Sequence, residues 1–194
     1  MPLIFLVGPR ACGKTTVGRT LARRLGLPFV DTDHFLHHQT GRTVAQIVAA
    51  EGWSGFRRRE SDALRATVEL HQTAGAVIAT GGGMVLDAKN RAFMREQGYV
   101  FYLSASAEAL AARLSSNPLA AQRPSLTGAD IQAEVAQVLH ERLPLYEQTA
   151  HYRFDATLSP GCICAQALAL LRGPDGLENN ENTGPGQGGD STGV

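Results

Sequence analysis

Gly8-Pro9-Arg10-Ala11-Cys12-Gly13-Lys14-Thr15 fits the spacing G-x-x-x-x-G-K-[ST]. The chemistry of that spacing is capture of a polyphosphate. Backbone amides of a glycine loop and a helix N-terminus point at the anion, and the helix dipole favours its charge. Lys14 can bridge the β- and γ-phosphates, and the Thr15 hydroxyl can complete the coordination of Mg²⁺. Ala11, Cys12, Gly13 and Thr16 belong to the same cradle. The flanks fit as well: Leu3–Val7 is wholly apolar, as in a strand buried on both faces, and Val17, Leu21, Leu25 and Leu27 recur at helical spacing. Correct flanking on both sides makes a chance match in a glycine-rich chain a poor explanation.

Other residues could act on a second substrate or on the metal. Asp31-Thr32-Asp33 sets two carboxylates at the end of a short strand, Pro28–Asp31, at the edge where open α/β sheets collect ligands. One could approach the metal while the other meets an acceptor; alternatively, Asp33 simply N-caps a helix His34–Thr40. Arg57-Arg58-Arg59 reads by default as a solvated charged face, although helical neighbours about 100° apart let one turn inward. Arg57 and Glu60, three positions apart, share a face. Gly81-Gly82-Gly83 follows the apolar strand Ala76–Thr80. Each glycine costs conformational entropy, so three in a row point to a ligand-facing loop rather than a plain turn. The usual second P-loop motif, an apolar run ending in Asp, is missing from the sequence, which leaves Asp31 as the best carboxylate for the metal.

The elements that must position these groups alternate along the chain. Helical patterns cover Thr43–Ala50, ending near Gly52, then Trp53 to about Leu70, Asp87–Gln97, Ala107–Leu114 with Arg113 near its end, and Gly161–Arg172. Tyr99–Leu103 and Tyr152–Ala156 read as strands. Helix Ile131–Gln148 has an apolar stripe of Val135, Val138, Leu139 and Leu143, beside which Arg142 could face a cleft. The polar stretch at about 115–129, around Arg123-Pro124, reads as a lid. Pro124 holds Arg123 extended, as suits delivery onto a phosphate, though an exposed arginine without a role is the plain alternative. Short apolar strands between helices predict an α/β fold of three layers around a mainly parallel sheet. Residues 1–172 suit one domain, and the Gly/Asn-rich residues 173–194 predict a disordered tail.

Composition narrows the function further. Eighteen Lys and Arg balance eighteen Asp and Glu, so charge gives no case for nucleic acid or an anionic membrane. No apolar run approaches the roughly 18 to 20 residues of a membrane span. The chain enters its first strand directly, without the pattern of a signal peptide. Cys12, Cys162 and Cys164 form no disulfide framework and read as ordinary thiols. These features point to a cytoplasmic protein, and the lack of an exposed apolar stripe points to a monomer.

Taken together, Gly8–Thr16, Asp31-Thr32-Asp33, Phe56-Arg57 with Glu60, the triple glycine, Arg123-Pro124 and Arg142 resemble the shikimate kinase family. These are small P-loop kinases of the nucleoside-monophosphate-kinase type. The resemblance runs from about residue 3 to 172, and its Leu-Val-Gly-Pro-Arg-x-Cys-Gly-Lys-Thr-Thr and Arg-Pro-x-Leu-Thr-Gly segments are most similar to the second enterobacterial isoform. Ala11 departs from the glycine of many relatives. The resemblance implies a P-loop NTPase fold with a central parallel five-stranded sheet and a mobile lid. It also implies phosphorylation of the 3-hydroxyl of shikimate by ATP, in the pathway to chorismate and the aromatic amino acids. On that basis Arg57 and Arg142 would bind the carboxylate, Asp33 would orient the nucleophile, and the Gly81 and Gly82 loop would approach the ring. Lys14, Arg123 and Mg²⁺ would offset phosphoryl charge, Thr15 and Asp31 would hold the metal, and Arg113 would lie near the adenine or phosphates. The alternatives are a gluconate or nucleoside-monophosphate kinase, or a nucleotide-dependent switch without turnover.

Overall fold

The computed structural model describes residues 1–116 and 130–173. The expected lid with Arg123 and the expected tail lie outside the described residues, apart from the lid's first two positions and Gly173. Five strands, β1 (Leu3–Val7), β2 (Phe29–Asp31), β3 (Ala76–Ala79), β4 (Tyr99–Ser104) and β5 (Tyr152–Asp155), form one sheet in the order β2-β3-β1-β4-β5. Every neighbouring pair is parallel. β1 lies at the centre and β3 beside it, and both are buried along their whole length, as their apolar runs predict. The P-loop and the triple glycine therefore leave adjacent strands at the same edge of the sheet.

Seven helices connect and cover the strands within the described residues: α1 (Lys14–Leu25), α2 (Thr32–Thr40), α3 (Val44–His71), α4 (Ala88–Gln97), α5 (Ala107–Ser115), α6 (Ile131–Thr149) and α7 (Pro160–Leu171). Val17 and Leu21 of α1, Leu110 of α5 and Ile163 of α7 pack on Ile4, Leu6, Phe101 and Leu103 on one face. Leu64 and Val68 of α3, Met94 of α4 and Tyr146 of α6 pack on Phe5, Val7, Ile78 and Tyr102 on the other. The three layers are as expected. A smaller core of Leu36, Ile47, Phe56 and Ala63 joins α2 to α3.

Some boundaries differ from the sequence reading for definite reasons. The two helical segments expected on either side of Gly52 are both present within α3, which is broken there by the non-helical φ 68°, ψ 176° of Gly52. A short 3-10 turn, Met84–Leu86, follows the triple glycine and buries Met84 and Val85. In α6, Leu143 is exposed, and Tyr146 and Thr149 form the buried face near its C-terminus. No described helix is long and apolar enough to cross a membrane.

Candidate active site

The phosphate cradle is set by backbone conformation. Gly8 has φ 145°, and a side chain there would put its Cβ 2.6 Å from Leu103 O. Ala11 and Gly13 take left-handed φ values of 61° and 96°. Gly13 is the N-cap of α1, and it offers no side-chain cap to the orphan amides of the first turn. Those amides and the helix dipole are available to an external anion. Lys14 Nζ donates to Gly8 O at 2.8 Å and Pro9 O at 2.7 Å, with Cys12 Sγ at 3.6 Å. The Cys12 side chain is buried in the core beneath the loop, and all three cysteines are free thiols. Thr16 is exposed at the start of α1. Arg113 reaches the loop from α5, donating to Ala11 O at 3.3 Å and Ala156 O at 2.7 Å.

Asp31 has two tasks. Its Oδ2 accepts from Thr15 Oγ1 at 3.0 Å, while Oδ1 accepts from the amides of Asp33 at 3.1 Å and His34 at 3.4 Å. Asp31, not Asp33, is therefore the N-cap of α2, and the helix starts two residues earlier than the sequence suggests. Asp33 is released from capping for other work. The Thr15 hydroxyl and Asp31 carboxylate, two hard oxygen donors side by side at the phosphate cradle, fit the requirements of Mg²⁺.

The triple glycine is shaped by the charged groups around it. A Cβ on Gly81 would stand 2.5 Å from Glu60 Oε1 and 3.0 Å from Asp33 Oδ1. One on Gly83 would overlap the Arg57 guanidinium. Arg57 pairs with buried Glu60 and lies over the rings of Trp53 at 5.5 Å and Phe56 at 5.4 Å. It is thus the inward-turned member of the arginine run, while Arg58 is exposed and Arg59 holds Glu51 through Nε and Nη2, both at 2.8 Å. Buried Thr32 accepts from the Gly81 amide at 3.2 Å.

Gly82 joins the two halves of the site. Its carbonyl accepts from Tyr146 OH at 2.6 Å and from Arg142 Nη1 at 3.2 Å. A Cβ on Gly82 would be 3.4 Å from Gly8 O and 3.7 Å from Arg10 N in the P-loop. Arg57, Arg142, Asp33 and the glycine loop therefore converge beside the phosphate cradle. Burial pushes the Tyr146 phenol well above its ordinary range, so its hydroxyl stays a donor. Asp31 and Asp33 also line a cleft of about 760 Å³ along β2, α2 and the start of α3. Lys14, Arg57, Gly82 and Arg142 do not line it, so this cleft is not where the charged groups meet. Thr32 and Tyr146 escaped the sequence reading. Tyr146 carries one usable signal, its place one helical turn after Arg142.

Comparison with known proteins agrees with this geometry. The family model described as "Shikimate kinase" matches residues 10–172. The chain is 57% identical over 171 residues to shikimate kinase 2 of Dickeya chrysanthemi, covering 88% of this chain and 96% of that protein. It is 55% identical over 169 residues to shikimate kinase 2 of Syntrophotalea carbinolica, covering 87% and 96%. Among solved structures, shikimate kinase from Acinetobacter baumannii in complex with shikimate matches with a TM-score of 0.80 at 37% identity, covering 88% of this chain and 93% of that one. With its P-loop, its glycine loop and its paired arginines on a five-stranded parallel sheet, the chain belongs to the shikimate kinase family.

Proposed function

We infer that this chain transfers the γ-phosphoryl group of ATP to the 3-hydroxyl of shikimate, giving shikimate 3-phosphate and ADP. One observation carries the assignment of roles: Gly82 touches the P-loop on one side and Arg142 on the other, so acceptor and donor sites share a wall. Shikimate has one carboxylate and three ring hydroxyls. Arg57 and Arg142 bind the carboxylate, because guanidinium forks match its geometry. Asp33 accepts hydrogen bonds from the ring hydroxyls, orients the nucleophile and takes its proton as the phosphoryl group moves. The Gly81 and Gly82 loop approaches the ring, and at Gly81 a side chain would collide with Glu60 and Asp33. A neutral sugar would not call for two arginines, and a nucleotide acceptor would need a larger base pocket.

Lys14 leaves its loop carbonyls to meet the phosphates, and the loop amides hold their oxygens. Thr15 would hold Mg²⁺ directly, with Asp31 on it directly or through water; the ion, when bound, offsets charge on the β- and γ-phosphates. Arg113 lies beside the loop that takes the nucleotide. From its sequence, Arg123 is a further phosphate ligand on a segment outside the described residues, and residues 1–172 form a single domain. Phosphoryl transfer depends on positioning and electrostatics, which is why charged groups from separate elements must meet. The enzyme acts as a cytoplasmic monomer.

The test is steady-state ADP release with ATP and Mg²⁺, with and without shikimate, on wild type and Asp33→Ala. Turnover should require shikimate and fall by about 10² to 10⁴ in the variant, as for loss of a general base, while ATP still binds. Equal ADP release with and without shikimate would reject the acceptor assignment.

A further inference from the structure

We infer that Tyr146 is a positioning residue for the acceptor: its hydroxyl fixes the Gly82 carbonyl, which in turn orients the Arg142 guanidinium toward a carboxylate. The Gly82 carbonyl accepts from both Tyr146 OH and Arg142 Nη1, at 2.6 and 3.2 Å. With Nη1 committed, the guanidinium is left with its Nε–Nη2 edge. Arg142 Nε is buried and has no hydrogen-bond partner among the described residues. A buried donor without a partner is costly unless something arrives to satisfy it. The same edge of Arg59, Nε with Nη2, grips the Glu51 carboxylate at 2.8 Å on both arms. A bidentate carboxylate seated on that edge of Arg142 would satisfy its Nε, which is closed to solvent and is reached only as the guanidinium turns about its bond to Gly82 O.

Tyr146 is suited to fixing this orientation. The side chain is buried and stacks on Tyr102 with 5.1 Å between centroids and 17° between planes, so the ring has little freedom to swing. Burial also keeps its phenol protonated, and therefore a donor to Gly82. Without the hydroxyl, Gly82 O would depend on Arg142 alone, and guanidinium and loop would be free to shift together. Tyr146 need not touch the substrate to act. This proposal rests on the reading that Arg142 takes the acceptor carboxylate, and the two can fail separately.

The experiment compares wild type, Tyr146→Phe, Tyr102→Phe and Arg142→Lys in steady-state kinetics with ATP and either shikimate or its carboxamide. Losing one hydrogen bond to the loop should raise the KM for shikimate by roughly five- to tenfold in Tyr146→Phe. The KM for ATP should not move. The ratio of wild-type to variant kcat/KM should return toward one with the carboxamide, which has no carboxylate to grip. Tyr102→Phe, the same chemical change one ring away, should leave both substrates unaffected. An unchanged KM for shikimate in Tyr146→Phe would overturn the proposal, and so would an equal penalty on the carboxamide or an equal effect of Tyr102→Phe. Arg142→Lys tests the underlying reading: if it binds shikimate as wild type does, the carboxylate assignment itself falls.

Discussion

Ala11 holds a φ of 61°, the only left-handed non-glycine residue among those described. The left-handed well costs an L-residue roughly 1–2 kcal/mol, and a β-branched residue more. An alanine methyl is tolerated there; a valine should not be. Ala11→Val is expected to raise the KM for ATP by more than about tenfold with little effect on shikimate binding, since a cost above 1.4 kcal/mol is a factor of ten. Ala11→Gly should leave both constants near wild type. Titrating each substrate at saturation of the other checks this, and normal ATP kinetics in Ala11→Val would mean that the loop relaxes around the side chain. At this level the neighbourhood of several side chains was legible. Thr15 touches Asp31, Arg142 reaches Gly82, and Arg57 lies against the triple glycine although its run reads by default as a solvated face. Asp33 as a helix cap was the weaker of two open readings, and the geometry removes it because Asp31 Oδ1 already accepts the amides of Asp33 and His34.

Helix α3 shows how one residue sets the relation between two elements. Gly52, with φ 68° and ψ 176°, occupies a region that is essentially reserved for glycine. It breaks the helix between Ile47 and Phe56, which both pack into the core shared with Leu36 of α2, and sets Arg57 beside the triple glycine. Gly52→Ala should therefore cost about 1–3 kcal/mol of stability, read as a lower urea midpoint with an unchanged slope. Full retention of the wild-type midpoint would show that the break has other causes. The sequence marked this point, because the helical pattern lapses at Gly52 and resumes at Trp53. It did not mark the 3-10 turn Met84–Leu86 or the burial of Tyr146, whose partner Gly82 lies 64 residues away. Strands β1, β3 and β4 were readable because strands buried on both faces are continuously apolar. The α6 stripe was misplaced at Leu143 because its two ends serve different cores: Val135 and Leu139 pack on one side of the sheet, Tyr146 on the other.

The sheet as a whole is closed at one end by a titratable group. The His151 amide donates to Val100 O at 2.8 Å, and the Val100 amide donates to His151 Nδ1 at 2.9 Å, so the imidazole takes a carbonyl's place in the β4–β5 ladder. Only a ring unprotonated at Nδ1 can accept that bond. Burial, and then the charge of Arg95, lower its pKa from the ordinary 6.5. A depressed folded-state pKa stabilises the fold above the unfolded value, and that stability is lost as pH falls through the folded value. The urea midpoint should thus drop as pH is lowered from about 7.5 toward 5, and less steeply in His151→Gln; parallel curves would assign the drop to other groups. The same long-range construction has a consequence for synthesis of the chain. The nucleotide signature is complete at Thr15, yet Gly8 packs against Leu103 O, and Ala11 is tied by Arg113, which is itself anchored to Ala156. β1 also lacks both of its sheet partners until β3 and β4 have been made. A ribosome-bound chain carrying the entire motif will therefore not retain ATP, and that capacity will emerge only when the residues around Ala156 have left the exit tunnel.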